Sequence, residues 1–259
     1  MPRLIIWILA LVPALAFGQF TMPHGVSGAS SSASVLPNSI GCYGDSIIAG
    51  ACQNVNVCVR VSNAITGSIS ANDGVSGYTA SQISTCYFTG VGGVCDPYGT
   101  QCLGEACGTL VIQGGVNSLK APGAVTGIVE QETVDTMRPI VADALSRGRR
   151  VVWVGVLPYA SCDVLTCPTL VDPDIRAREY NSLMATACLE LRGTYGALLS
   201  CVSPYNNFAM LGPAPDFDPG YLATQYACSD GIHLDDQGGK TGPQTLACAI
   251  LTALGVACP

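Results

Sequence analysis

The chain is poor in charge and poorer still in imidazole. Only 11% of its 259 residues are charged and the formal net charge is −7; the lysines are Lys120 and Lys240, and the histidines are His24 and His233. So thin and acidic a balance offers no basic footprint for a phosphate backbone, which excludes nucleic acid as a partner. No Cys-x-x-Cys pair occurs among the fourteen cysteines, so the usual spacing of a structural zinc site is missing and no metal or cofactor is expected. No apolar run reaches the roughly 20 residues of a membrane span, and there is no internal repeat. The shortage of histidine has the sharpest consequence. A mechanism that needs an imidazole base inside the folded body has His233 as its one candidate.

What is present begins with a leader. Arg3 gives a short positive start, Leu4 to Ala16 is almost wholly apolar, and Ala14-Leu15-Ala16 is an A-x-A cleavage signal. Residues 1–18 therefore read as a secretory signal peptide cut after Ala16 or Gly18; an uncleaved anchor is the alternative, although Pro13 interrupts the run. Residues 19–38 are rich in Ser, Gly and Ala without apolar periodicity and read as a linker, in which His24 is an inert surface residue. The folded domain is expected over 39–259. An even, dense set of cysteines in an exported chain is a disulfide framework, with Cys162–Cys167, Cys188–Cys201 and Cys248–Cys258 as local pairs. Periplasm and extracellular space are both open, as is the oligomeric state.

Strand and helix patterns alternate through the body. Ile40 to Tyr43 reads as a short buried strand that ends in Gly44-Asp45-Ser46. Gly44 permits a tight turn, Asp45 braces it, and Ser46 is left at the strand's carboxyl end, where open α/β sheets place their sites. The Gly-x-Ser-x-Gly elbow of α/β-hydrolases is absent. Asn72 to Thr79 is a polar loop with two glycines, leading to a helix over Ala80–Tyr87. Gly90 to Gly108 lacks periodicity and reads as a disulfide-stapled surface loop that shapes a substrate rim.

Thr109 to Gln113 is a strand that delivers Asn117 from its carboxyl end. Val125 to Leu145 has helical spacing, with a kink expected at Pro139. Arg150 to Leu157 is a continuous apolar run suited to a strand covered on both faces. Asp172 caps a helix that starts at Pro173 and that Gly193 closes. Ala197 to Val202 is a last strand, and Leu246 to Leu254 a helix stopped by Gly255. This order implies βαβ units around a mostly parallel sheet. Asp230 stands three residues before His233, so its carboxylate can reach one ring nitrogen and leave the other to face a nucleophile. Read blandly, the same stretch is a polar loop ahead of a helix. Asp235 and Asp236 read as solvated acids at the helix entry, and Cys42 as a bridged cysteine instead of a nucleophile.

Four blocks in order, Gly44-Asp45-Ser46, Gly74-Val75-Ser76-Gly77, Gly115-Val116-Asn117 and Asp230-Gly231-Ile232-His233, resemble those of the SGNH hydrolases, the GDSL-type esterases and lipases. Ser118 departs from the pattern, since many members carry an acid there, and the cysteine density is unusual. The resemblance implies an α/β three-layer sandwich with a flavodoxin-like central sheet. It implies Ser46 as nucleophile, His233 as base, Asp230 as the histidine's partner, and an oxyanion hole from the backbone N–H groups of Ser46 and Gly77 and the Asn117 amide. The expected activity is hydrolysis of carboxylic esters, with acetyl or short acyl esters of carbohydrate ahead of lipids because the long loops contain no apolar lid. A lipase or arylesterase, and a non-catalytic carbohydrate- or surface-binding protein, are the alternatives.

Overall fold

The computed structural model describes residues 35–65, 68–90, 95–100, 102, 106–121, 125–159, 173–205, 222, 225–230 and 232–259. The expected signal peptide, His24, the Cys162–Cys167 pair, the Asp172 cap and Gly231 lie outside them. Five strands, β1 (Val35–Gly44), β2 (Ile69–Gly74), β3 (Ala106–Gln113), β4 (Arg150–Val154) and β5 (Leu199–Val202), form one sheet in the order β2-β1-β3-β4-β5. Every pairing is parallel. The seven helices among the described residues are α1 (Ser46–Ala49), α2 (Val57–Asn63), α3 (Ala80–Thr89), α4 (Val116–Leu119), α5 (Val129–Ser146), α6 (Pro173–Tyr195) and α7 (Gly242–Leu254).

Strand alternation sorts the core into two layers. Tyr43, Leu110, Ile112, Val151 and Trp153 point to the side covered by α3, α5 and α6, where they meet Ile83, Met137, Ile140, Tyr180 and Met184. Ile40, Cys42, Val111, Val152 and Val154 point to the other side and pack on Ile47, Val57, Val61, Leu246, Ile250 and Leu251 of α1, α2 and α7. The architecture is the expected α/β three-layer sandwich. Two covered faces explain why β3 and β4 read as unbroken apolar runs.

Several boundaries differ from expectation, each for a local reason. β1 pairs with β3 from Val35, ahead of the expected strand start at Ile40, through a register shift between Leu36 and Ile40; Pro37 and the positive φ of Asn38 (59°) conceal the strand from pattern reading. β2 escapes pattern reading because it is an edge strand with polar residues, and Asn72-Asp73-Gly74 is its second half, not loop. The strand expected to reach Leu157 stops at Val154. Beyond it, Asn181 Oδ1 accepts from the Val156 N–H (2.9 Å) and Asn181 Nδ2 donates to the Val156 carbonyl (2.8 Å), so a side chain takes over from the ladder. A Cβ on Gly155 would lie 2.0 Å from Asn181 Oδ1, so only glycine admits this approach.

α5 begins at Val129 and runs on through Pro139 as one helix. α6 continues past Gly193 to Tyr195, and a 3₁₀ turn at Gly196–Leu198 follows. Gly193 is a helical residue of ordinary φ; the terminating glycine is Gly196, at φ 59°. Gly255, at φ 75°, caps α7 as expected. The end of the stretch expected as loop over 90–108 is strand, since Ala106 opens β3.

Six disulfides join the described cysteines: Cys42–Cys58, Cys52–Cys228, Cys86–Cys95, Cys102–Cys107, Cys188–Cys201 and Cys248–Cys258. Two of the expected local pairs are among them, and Cys42 is bridged. Among the described residues no helix is long and apolar enough to cross a membrane.

Candidate active site

Three neighbouring strands, β2, β1 and β3, end at the same edge of the sheet, and the segments leaving them carry Gly77, Ser46 and Asn117. At β1 the chain turns within two residues. A Cβ on Gly44 would stand 2.6 Å from both the Gln113 carbonyl and Ile48 Cγ1, so the turn is open to glycine alone. Asp45 then caps α1, its Oδ1 accepting from the Ile47 N–H at 3.0 Å. Ser46 is the first residue of that single helical turn and is 5% exposed.

Asp45 is fully buried, and burial pushes its carboxyl up to about 6 against the Ile47 N–H and the nearby His233 and Lys120, which draw it down. The residue braces the turn, in keeping with its position in the sequence.

Asp230 and His233 lie on a tight excursion closed at its base by an antiparallel bridge between Ala227 and Leu234. The Cys228 N–H donates to the His233 carbonyl at 2.7 Å, and the Asp235 N–H to the Tyr226 carbonyl at 2.8 Å. Within the excursion Asp230 Oδ1 accepts from the Ile232 and His233 N–H groups at 2.9 and 3.0 Å. Asp230 Oδ2 stands 2.5 Å from His233 Nδ1, and His233 Nε2 stands 2.7 Å from Ser46 Oγ. Partial burial works against the Asp230 charge, but the backbone donors and the imidazole outweigh it and hold the carboxyl below its ordinary range. An acceptor so held fixes the ring orientation and favours a proton on Nδ1, which leaves Nε2 as the acceptor facing the serine hydroxyl.

Gly77 has φ 82° and open space where a Cβ would be. Asn117 Nδ2 donates to the Tyr78 carbonyl at 3.1 Å, and the Ala80 N–H donates to Ser118 Oγ at 2.9 Å. These two bonds sew α4 to the loop that contains Gly77. Ser118, the departure from the four-block pattern, thus satisfies an amide in the first turn of α3 that would otherwise lack a helical partner.

Two features of the site were invisible in the sequence. Lys120, three residues beyond Asn117, is half-buried; burial lowers its ammonium, against the attraction of the Asp230 and Asp45 carboxylates. Asp235 and Asp236 are not solvated. Asp236 accepts from the Asn54 N–H (2.8 Å), the Val55 N–H (3.2 Å) and Arg60 Nη2 (2.6 Å), and Asp235 pairs with Lys240 at 3.0 Å. The partners of Asp236 are 176 to 182 residues away, beyond any local pattern. Cys52 Sγ comes within 4.8 Å of ligand atoms of Asp230 and His233, but its bond to Cys228 withdraws the thiolate a metal would need.

No protein family's sequence profile matches the chain, and no curated protein matches it in sequence. Solved structures do. A GDSL-like lipase from Bacteroides thetaiotaomicron superposes with a TM-score of 0.55 at 18% identity, over 84% of this chain and 88% of that one. Est24, a carbohydrate acetylesterase from Sinorhizobium meliloti, gives 0.55 at 15% identity over 84% and 98%. A carbohydrate esterase family 2 enzyme with a carbohydrate-binding domain, from Corynascus thermopiles, gives 0.52 at 18% identity over 86% and 68%. The fold is that of the SGNH hydrolases.

Proposed function

We propose that this SGNH-fold protein is a secreted serine esterase that cleaves acetyl or short acyl esters of carbohydrate. The observation that carries the reading is the hydrogen-bonded line from Ser46 Oγ through His233 to Asp230, at 2.7 and 2.5 Å. In this mechanism His233 Nε2 takes the hydroxyl proton as Ser46 Oγ attacks the ester carbonyl carbon. Asp230 keeps the imidazole in the productive tautomer and stabilises the imidazolium that forms. The oxyanion is held by the N–H groups of Ser46 and Gly77 and by the Asn117 amide. His233 then returns its proton to the leaving alcohol, and water repeats the sequence on the acyl-enzyme to release the acid and restore Ser46.

Secretion is supported by the apolar leader ending in Ala14-Leu15-Ala16 and by the disulfides, which persist in oxidising compartments. The carbohydrate preference draws on the acetylesterase and carbohydrate esterase among the structures of like fold. The deciding experiment is a panel of p-nitrophenyl esters from acetyl to long-chain acyl, with acetylated xylan and pectin, run on wild type and Ser46→Ala. Turnover of short acyl esters and release of acetate from the glycans, both lost in Ser46→Ala, is the expected result. Near-normal hydrolysis by Ser46→Ala, or no fluorophosphonate adduct on Ser46 in the folded protein, overturns it. Preference for long-chain esters would transfer the assignment to lipids.

A further inference from the structure

We propose that the Cys52–Cys228 disulfide and the Asp236 carboxylate are positioning groups for His233, clamping the excursion that carries the base to the turn that follows the nucleophile. The inference rests on the roles given above to Ser46, His233 and Asp230. Its evidence is a closed ring of short connections. From Ser46 the chain makes a single helical turn, in which the Gly50 and Ala51 N–H groups both donate to the Ser46 carbonyl at 3.1 and 3.0 Å. Gln53 ties the next turn back, its N–H donating to the Gly50 carbonyl at 3.0 Å and its Nε2 to the Ile47 carbonyl at 2.9 Å. Cys52 is therefore fixed with respect to Ser46.

Its sulfur is bonded to Cys228, whose own N–H donates to the carbonyl of His233. The ring closes at Ser46 Oγ and His233 Nε2.

On the far side of His233 the excursion is held again. Asp236 gathers the N–H groups of Asn54 and Val55 and the Arg60 guanidinium, all from the segment just beyond Cys52. Between these grips the described residues are held from the base of the excursion, where Asp235 pairs with Lys240 and its N–H donates to the Tyr226 carbonyl, and by Ile232, which packs against the core. Leu234 anchors the base of the excursion in the core, but Ser229 and Asp230 at its tip are exposed, and among the described residues the hydrogen bonds of Asp230 stay within the excursion. A disulfide that served global stability alone could sit anywhere between the two segments. This one brings Cys52 Sγ within 4.8 Å of Asp230 and His233 atoms.

The test compares three variants with wild type: Cys52→Ser/Cys228→Ser, Asp236→Asn, and Cys188→Ser/Cys201→Ser, which opens a bridge between α6 and β5 remote from His233. Steady-state kinetics with p-nitrophenyl acetate are measured well below each melting temperature. The downfield proton resonance of the His233 Nδ1–H, which reports the Asp230 contact without any turnover, is recorded by NMR. A misplacement of about 1 Å at a reacting group can cost about 100-fold. The first two variants should accordingly lose about tenfold or more in kcat with KM within about twofold, and the resonance should broaden or move. The remote pair should keep both while its melting temperature falls. Unchanged kcat and resonance in the first two variants, with only stability reduced, would reduce the clamp to a staple.

If the double serine variant does not fold, mild phosphine reduction of the folded wild type, with the opened cysteines mapped by mass spectrometry, replaces it. Loss of activity in step with opening of Cys52–Cys228 supports the clamp, and full activity with that bond open overturns it. Failure of the esterase reading is seen separately, as hydrolysis surviving in Ser46→Ala, while the resonance still reports whether the clamp sets the His233–Asp230 contact.

Discussion

Asn117 Nδ2 donates to the backbone carbonyl of Tyr78, so the side chain proposed to hold an oxyanion is tied to the residue that follows Gly77, the proposed backbone donor. The two donors come from different strands and would otherwise be independent. Their linkage makes Asn117→Ala a double injury, because one amide is lost and the loop bearing the other is loosened. A single oxyanion donor is worth about 100- to 1,000-fold in kcat. The variant should fall at the upper end of that range with KM changed little, measured on p-nitrophenyl acetate. A loss under tenfold would remove Asn117 from the oxyanion hole.

The Ser46–His233–Asp230 line orders three further substitutions by severity. Ser46→Ala and His233→Ala should each abolish measurable turnover, the second because the sequence holds one other histidine, His24, which precedes the first strand by eleven residues. Asp230→Asn should retain more, since an amide still bonds the ring while favouring the wrong tautomer. The check is the pre-steady-state acylation rate. An Asp230→Asn variant slower than His233→Ala would contradict the assigned roles.

Asp45 gives a prediction for pH and stability. Its folded pKa is raised by burial from 3.8 to about 6, so between those values the native state binds more protons than the unfolded chain. Stability from this residue is accordingly highest below about pH 4 and declines as pH rises to about 6, by roughly 1–3 kcal/mol in all. Asp45→Asn keeps the cap on the Ile47 N–H, because asparagine caps as well as aspartate, and removes the buried charge. Urea unfolding should find it more stable than wild type at pH 8 by about 1–3 kcal/mol and equal to it near pH 4. A loss of stability at pH 8 would show that the charge is compensated locally.

Asn181 and Gly193 test the fold on α6. Removing the Asn181 side chain leaves the Val156 N–H and carbonyl without their partner in a buried site, so Asn181→Ala should cost about 2–4 kcal/mol. Gly193 is exposed, has no positive φ, and has no neighbour within 4 Å of the point where an added methyl would stand. Gly193→Ala should therefore gain about 0.5–1 kcal/mol. Both are read from unfolding midpoints at constant m-value.

The alternation of strands and helices was legible because a sheet covered on both faces demands apolar runs such as Val151–Val154, and flanking helices demand stripes such as Met137, Ile140, Val141 and Ala144. The polar edge strand β2 was not, since half-exposed positions impose no such pattern. The blocks around Ser46, Gly77, Asn117 and Asp230–His233 could be read because each is compact: a tight turn needs Gly44, and a carboxylate reaching its own backbone and ring needs the spacing of three. Asp236 and Lys120 could not. Their surroundings are assembled by segments far apart in the chain, and nothing about an acid after a histidine, or a lysine after a short helix, announces where it will be buried.

The distance along the chain between Ser46 and His233, 187 residues, also orders events in time. The ribosome completes the serine, its turn and all five strands before it reaches the imidazole. A chain cut short ahead of the bridge between Ala227 and Leu234 holds a hydroxyl with no base beside it. Under the proposed mechanism hydrolytic competence therefore waits on the last tenth or so of the polypeptide, whose α7 closes the core beneath the excursion that carries the base.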